Sequence, residues 1–173
     1  MSLRNVRIVL VRPKGAANVG AVARAMKNMG LDDLVVVRPR LASSALAKVM
    51  AVHAGDVLQR MRRCDSLLEA VADCALVVGT TCREGPYRAA AEAPRTVAPR
   101  IVDAAARQPV ALVFGPEDHG LSNDDLKGCH QLIQIPTADA YPSLNLAQAV
   151  MVCCYELCQA QHAADGVERS SAK

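Results

Sequence analysis

Leu112-Val113-Phe114-Gly115-Pro116-Glu117-Asp118-His119-Gly120-Leu121 is an apolar run that breaks into a turn carrying two glycines, a proline and two carboxylates. From Val110 to Phe114 the residues are short in number, apolar and rich in β-formers, as a strand buried on both faces requires. The turn behind it uses glycine for a physical reason, since Gly115 and Gly120 let the backbone approach a neighbour closely or adopt positive φ. In open parallel sheets such turns lie at the carboxyl ends of the strands, where ligands bind. The flanking sequence decides whether the chain builds such a sheet.

Upstream, Val6-Arg7-Ile8-Val9-Leu10-Val11 reads as a second buried strand, closed by Pro13 and Gly15. A helix follows, with Val19, Val22, Met26 and Met29 at helical spacing, Asn18 as its expected N-cap and Gly30 as its stop. Leu34 to Val37 is the next strand, then helices over 44–52 and 66–71, then a strand at Ala75-Leu76-Val77-Val78 ending in Gly79-Thr80-Thr81. The proline-rich stretch 82–99 is expected to be a long loop and 96–106 a helix. Downstream of the opening segment come a short helix at 124–128, a strand at 132–136 and a long helix at 144–162. Strand and helix alternate, which predicts an α/β domain with a parallel sheet covered by helices on both faces. One domain is expected over 1–164, with a frayed tail at 165–173.

Composition bounds the partners. The chain has 173 residues, 51% of them hydrophobic, enough for one sizeable core. No apolar run reaches the length that crosses a bilayer, and Met1-Ser2-Leu3-Arg4-Asn5 carries charge where an export signal would be apolar, so a cytoplasmic protein is expected. Seven cysteines without paired spacing predict free thiols. A net charge of +3 permits a polyanionic partner. With no Trp, one Phe and three Tyr there is little material for base stacking, so an RNA partner would be held by phosphate contacts and shape.

The usual nucleotide signatures are missing: no GxGxxG follows the first strand and no GxxxxGK[ST] occurs. The strand-end turns spell instead Asn18-Val19-Gly20-Ala21-Val22-Ala23-Arg24, then the opening segment, then Ile135-Pro136-Thr137 followed by Ser143-Leu144-Asn145-Leu146-Ala147. These resemble the three signature motifs of the SpoU or TrmH class of SPOUT RNA 2'-O-ribose methyltransferases, and 7–34, 74–81, 109–121 and 143–157 read like the TrmJ-type tRNA enzymes. Where that group usually has Thr-Ser-Ala-Arg, this chain has Thr80-Thr81-Cys82-Arg83. Full-length members of the group continue into a helical C-terminal extension, whereas this sequence stops soon after its last predicted helix.

The resemblance implies a SPOUT fold whose C-terminal part threads a loop as a deep trefoil knot, with two protomers packed there through the first and last helices. It implies S-adenosylmethionine as cofactor, S-adenosylhomocysteine as product, no metal, and RNA, most directly tRNA, as partner. The implied reaction is 2'-O-methylation of cytidine or uridine at the first nucleotide of the tRNA anticodon loop. Another tRNA position, ribosomal RNA, or a non-catalytic RNA-binding module of the same fold stand as alternatives. Carried over by position, cofactor contacts fall on Gly79, Thr80, Thr81, Gly115, Glu117, Gly120, Ile135, Ser143, Leu144 and Asn145. Catalytic roles fall on Asn18, Arg24, Ser143 and Asn145, and RNA contacts on Arg24, Arg83 and Arg88.

Physical chemistry qualifies one of these roles. A guanidinium stays protonated in proteins, so Arg24 is expected to clamp a phosphate and stabilise a developing alkoxide, with the proton passing to phosphate or water. Because Asn18 and Arg24 are six residues apart, both reach one site only if Asn18 lies at the non-helical entry. Arg60, Arg62 and Arg63 read as a solvated face or a phosphate contact. Cys154, Cys158 and His162 recur every fourth residue and read as a core or dimer-facing stripe rather than a metal site. His53, His119 and His130 show no acidic partner in the sequence and receive no catalytic role.

Overall fold

The computed structural model describes residues 3–41, 44–82, 85 and 90–166. The strands are β1 (Val6–Val11), β2 (Asp33–Val37), β3 (Arg62–Cys64), β4 (Leu76–Thr80), β5 (Val110–Phe114) and β6 (Gln131–Ile133). The helices are α1 (Ala16–Asn28), α2 (Ser44–Ala51), α3 (Gly55–Arg60), α4 (Leu67–Val71), α5 (Pro94–Ala105), α6 (Asn123–Lys127) and α7 (Leu146–Ala164). All pairings are parallel, in the order β3-β2-β1-β5-β4-β6.

The central strand β1 shows why the sheet is covered on both sides. Ile8 and Leu10 point into a core shared with Val22 and Met26 of α1, Ile101 of α5 and Leu157 of α7. Val9 and Val11 point the other way, against Val71 of α4 and Leu126 of α6. Period-two alternation thus gives each face its own apolar layer, and each such side chain contributes about 1.5–3 kcal/mol by leaving water. Arg7 sits on the second face, 5% exposed, and is fully engaged: Asp33 (2.8 Å), Asp73 (2.6 Å) and the Ala70 carbonyl (2.8 Å) all accept from it. That Arg7 hydrogen bond holds the Asp73 carboxyl down at about 2.

Several boundaries differ from the sequence reading. The loop expected to reach residue 99 ends at 93, because Pro94 occupies the first turn of α5, where its missing N–H is harmless. Strand β3 and helix α3 escape prediction, β3 being a three-residue edge strand of two arginines and a cysteine. Helix α1 begins at Ala16, so Asn18 is inside its first turn and is not its N-cap. Helix α7 is capped by Asn145, whose side chain accepts from the amides of Ala147 (2.9 Å) and Gln148 (3.3 Å). Asp165 closes that helix, and residues 167–173 of the expected tail lie outside the described residues. Among the described residues no helix is long and apolar enough to cross a membrane.

Candidate functional site

Because every strand runs the same way, the turns after β4, β5 and β6 emerge on one edge of the sheet. They enclose a cavity of about 310 Å³. Thr80, Thr81 and Cys82 come from the first turn, Gly115 to Leu121 from the second, and Ile135 and Pro142 to Leu144 from the third. Leu146 and Ala149 of α7 line it as well, so Gly115, Glu117, Gly120, Ile135, Ser143 and Leu144 are brought together as the motifs suggested.

The wall is built by backbone contact. A Cβ on Gly115 would lie 2.1 Å from the Gly120 carbonyl carbon and 2.2 Å from the Leu121 nitrogen, so the turn folds onto itself only with glycine there. Gly120 closes it at φ +68°, a left-handed conformation that favours glycine. The Thr80 hydroxyl donates to the Val113 carbonyl (3.0 Å), and the Thr81 amide donates to the Ile133 carbonyl (3.0 Å). These bonds tie the first turn to β5 and β6. From the other side, Arg12 grips Asp125 (2.6 Å), which forms a reciprocal cap on α6 with Ser122. Burial raises the Asp125 carboxyl, but Arg12 and Ser122 outweigh it and hold it below the ordinary carboxylate range.

Behind the wall runs a chain of polar contacts that joins all three motifs. Helix α1 has no side-chain cap of its own. Glu117 takes that place: its carboxylate accepts from the backbone amides of Lys14 (2.9 Å) and Gly15 (2.9 Å), and from the Asn18 side chain (3.2 Å). Burial raises the Glu117 carboxyl and these donors lower it by more, so it lies below its ordinary value and is ionised at neutral pH. The Asn18 carboxamide oxygen in turn accepts from the Asn145 side chain (2.9 Å). Asn18 and Asn145 therefore support the cavity from outside it, as neither lines it.

Other expected residues are placed differently. Gly79 is buried away from the cavity, where a Cβ would meet the Cys129 sulfur at 2.8 Å. Arg24 is exposed on α1 and lies outside the cavity lining. With Asn18 helical, the six-residue separation turns the two side chains about 120° apart and about 9 Å along the axis. The condition set for a shared approach, Asn18 at a non-helical entry, is therefore not met. Arg83 and Arg88 lie outside the described residues.

His119 does have an acidic neighbour, Asp118 at 2.8 Å, which Lys14 also engages; Asp118 and His119 both line the cavity. His130 accepts from the Val77 amide (2.9 Å) and so splices β4 to the loop before β6. Cys154 is buried and Cys158 lies 3.8 Å from His162. Among the described residues no group of three metal-ligating side chains gathers. Sequence reading missed Leu121, Leu146 and Ala149 as cavity walls. The spacing of Leu146 and Ala149, three apart on the first turn of α7, is the signal that could have found two of them.

This architecture has close counterparts. The SpoU rRNA methylase family model matches residues 5–155. The tRNA (cytidine/uridine-2'-O-)-methyltransferase TrmJ of Salmonella typhimurium is 45% identical over 155 residues, 90% of this chain and 64% of that protein. The chain spans 60% to 64% of the length of the curated relatives it matches. The solved structure of TrmJ from Z. mobilis ZM4 superposes with a TM-score of 0.83 at 40% identity, covering 90% of this chain and 69% of that one. A structure described as giving insight into 2-OH methylation of C/U34 on tRNA superposes at 0.68 with 30% identity, covering 90% of each chain. With a family match over that span and relatives at that identity, the chain belongs to the SpoU methylase family.

Proposed function

We propose that this chain transfers a methyl group from S-adenosylmethionine to a ribose 2'-hydroxyl of RNA, with tRNA cytidine or uridine at nucleotide 32 as the acceptor. The observation that carries this reading is the cavity itself, where three strand-end turns converge against the Asn18, Glu117 and Asn145 network.

The residues present fit the cofactor. The cavity falls in the size range of small-molecule sites, and Phe114, Ile135, Leu144 and Leu146 offer apolar surface for an adenine. At Gly115 and Gly120 bare backbone can approach the ligand. Among the described lining residues there is no Lys or Arg, while Glu117 supplies an ionised carboxylate, which suits a cationic sulfonium. When bound, S-adenosylmethionine supplies an electrophilic methyl carbon, which the ribose oxygen takes up with release of S-adenosylhomocysteine and one proton.

Within this reading the chain's own residues orient and exclude water. Thr80, Gly115, Ser143 and Leu144 hold the cofactor, with Gly79 and Thr81 shaping the turn beneath it. Glu117 fixes the entry of α1, and Asn18 and Asn145 lock that entry to α7. Arg24 remains a cation and holds an RNA phosphate, so the hydroxyl proton leaves to phosphate or water. The trefoil knot belongs to this reading: what supports it is that the segment after β6 returns against the β4 and β5 turns before α7 begins. So does a homodimer through α1 and α7, supported by Tyr155, 46% exposed on α7. A cytoplasmic location follows from the substrate. Mass mapping of nucleosides from tRNA incubated with the protein and S-adenosylmethionine tests the whole. A 2'-O-methylated pyrimidine at nucleotide 32 is expected; modification only of ribosomal RNA, or none, would overturn the assignment.

A further inference from the structure

Charge is distributed unevenly along this chain. Residues 1–55 hold nine Lys and Arg and two acids, a net +7, while the remainder carries −4. The fold then decides which cations are used internally. Ten described Lys and Arg side chains have acidic partners. Among the described residues the side chains of Arg24, Arg38, Arg40, Lys48 and Arg63 have no hydrogen bond or ion pair, and all five lie between positions 24 and 63.

Two of them, Arg38 and Arg40, are held at the carboxyl end of β2 on a built support. Val11 and Val37 are partners in the β1–β2 ladder, so Arg12 and Arg38 follow side by side on the sheet edge from which the cavity turns emerge. Both adopt the left-handed conformation, at φ 50° and 45°, and each amide donates to the next strand outward, Arg12 to Val37 (2.7 Å) and Arg38 to Cys64 (3.0 Å). The backbones match and the guanidiniums do not: Arg12 is consumed by Asp125, whereas Arg38 is exposed and unpaired. Strained backbone of this kind persists where the surroundings enforce it, often at sites of function. Pro39 stiffens the next step, and the Arg40 amide donates to the Pro13 carbonyl (2.8 Å), binding this loop to the one whose Lys14 contacts Glu117 and Asp118 at the cavity rim. Arg24 lies one turn beyond Gly20 on α1, and Gly20 abuts the Ala47 carbonyl, next to Lys48 on α2.

We propose that Arg38 and Arg40, continued by Arg24 and Lys48, form a phosphate-binding track that holds the RNA backbone on the β1–β2 side of the methyl-transfer cavity. This rests on the functional reading above and adds the surface that receives the RNA flanking the target nucleotide. Phosphodiesters fit because the cations are spaced along an edge, exposed, and fixed at the backbone before binding, so little ordering is required on contact.

Fluorescence anisotropy of a tRNA transcript, titrated over a range of salt with wild type, Arg38→Gln/Arg40→Gln and Arg38→Lys/Arg40→Lys, tests it. Two lost phosphate contacts should reduce the slope of log affinity against log salt by about 1.4 to 1.8 and weaken binding at least about tenfold at low salt. The lysine pair should retain the slope, and calorimetry should show unchanged cofactor affinity in both variants. Equal slopes for wild type and the glutamine pair would overturn the track. So would equal losses in both pairs, which would trace the effect to the backbone. A change in oligomeric state without a change in RNA affinity would overturn it too, by assigning the patch to a protein interface. Methylation of tRNA by wild type alongside equal slopes refutes the track alone; a wild type that neither binds nor methylates tRNA refutes the functional reading first.

Discussion

Replacing Glu117 with glutamine removes the acceptor that starts helix α1. The wild-type carboxylate serves the amides of Lys14 and Gly15 and the Asn18 side chain, at 2.9, 2.9 and 3.2 Å. Glutamine keeps one carbonyl oxygen and turns the other position into a donor that faces an amide N–H. Hydrogen bonds to charged groups contribute about 1.5–3 kcal/mol, and an anion at a helix N-terminus about 0.3–1. Since glutamine retains some of these contacts and the site is part-buried, the net loss is set at about 2 kcal/mol. For a chain of this size that lowers Tm by roughly 4–8 °C. The pH dependence has a definite sign. The folded carboxyl lies below its ordinary value, so its stabilisation is complete above pH ~4.3 and disappears as pH falls through the lower folded value. Paired thermal melts of wild type and Glu117→Gln should differ at pH ~7 and converge in the acid range below pH ~4. Identical melts at neutral pH, or a gap undiminished in acid, would refute the assignment of Glu117 as the cap.

Gly115→Ala forces a methyl into backbone 2.1 Å away, and should destabilise by about 1–3 kcal/mol and abolish cofactor binding. Gly128→Ala meets nothing closer than 3.4 Å at φ −80° and should be neutral or stabilise by about 0.4–1 kcal/mol; calorimetry and urea melts on the pair check the contrast. Arg24→Ala should reduce turnover on tRNA by roughly 100-fold through misplaced substrate while cofactor affinity holds; wild-type rates would remove the role given to it. Arg7→Met should cost about 2 kcal/mol in urea melts, because it removes the donors to Asp73 and to the Ala70 carbonyl, while Asp33 keeps its pair with Arg62. With the folded Asp73 carboxyl at about 2, wild type should lose its advantage over that variant as pH falls from about 4 toward 2.

The central strands were legible because burial on both faces leaves an unbroken apolar run, and β1 and β5 fall where Val6 to Val11 and Val110 to Phe114 placed them. Strand β3 was not, since an edge strand with one partner needs no apolar pattern, and Arg62-Arg63-Cys64 shows none. Pro94 read as a loop residue because a proline at a helix start and a proline in a loop look alike without the helix. The reading of Asn18 as a cap failed for a more instructive reason. Local rules seek the cap next to the helix, and here Glu117 delivers it to Gly15 from 102 residues away, which only the tertiary fold reveals. The cavity residues clustered at strand ends could be named in advance, but their division into wall and support could not. Whether Asn145 faces the cavity or Asn18 depends on a side-chain contact spanning 127 positions.

Calorimetric titration of S-adenosylhomocysteine into the wild-type chain tests the donor pocket most simply. Saturable binding at one site per chain is expected, lost in Gly115→Ala and retained in Arg24→Ala. No heat of binding at ~1 mM ligand, weaker than about −4 kcal/mol, would contradict a donor pocket formed by the β4, β5 and β6 turns.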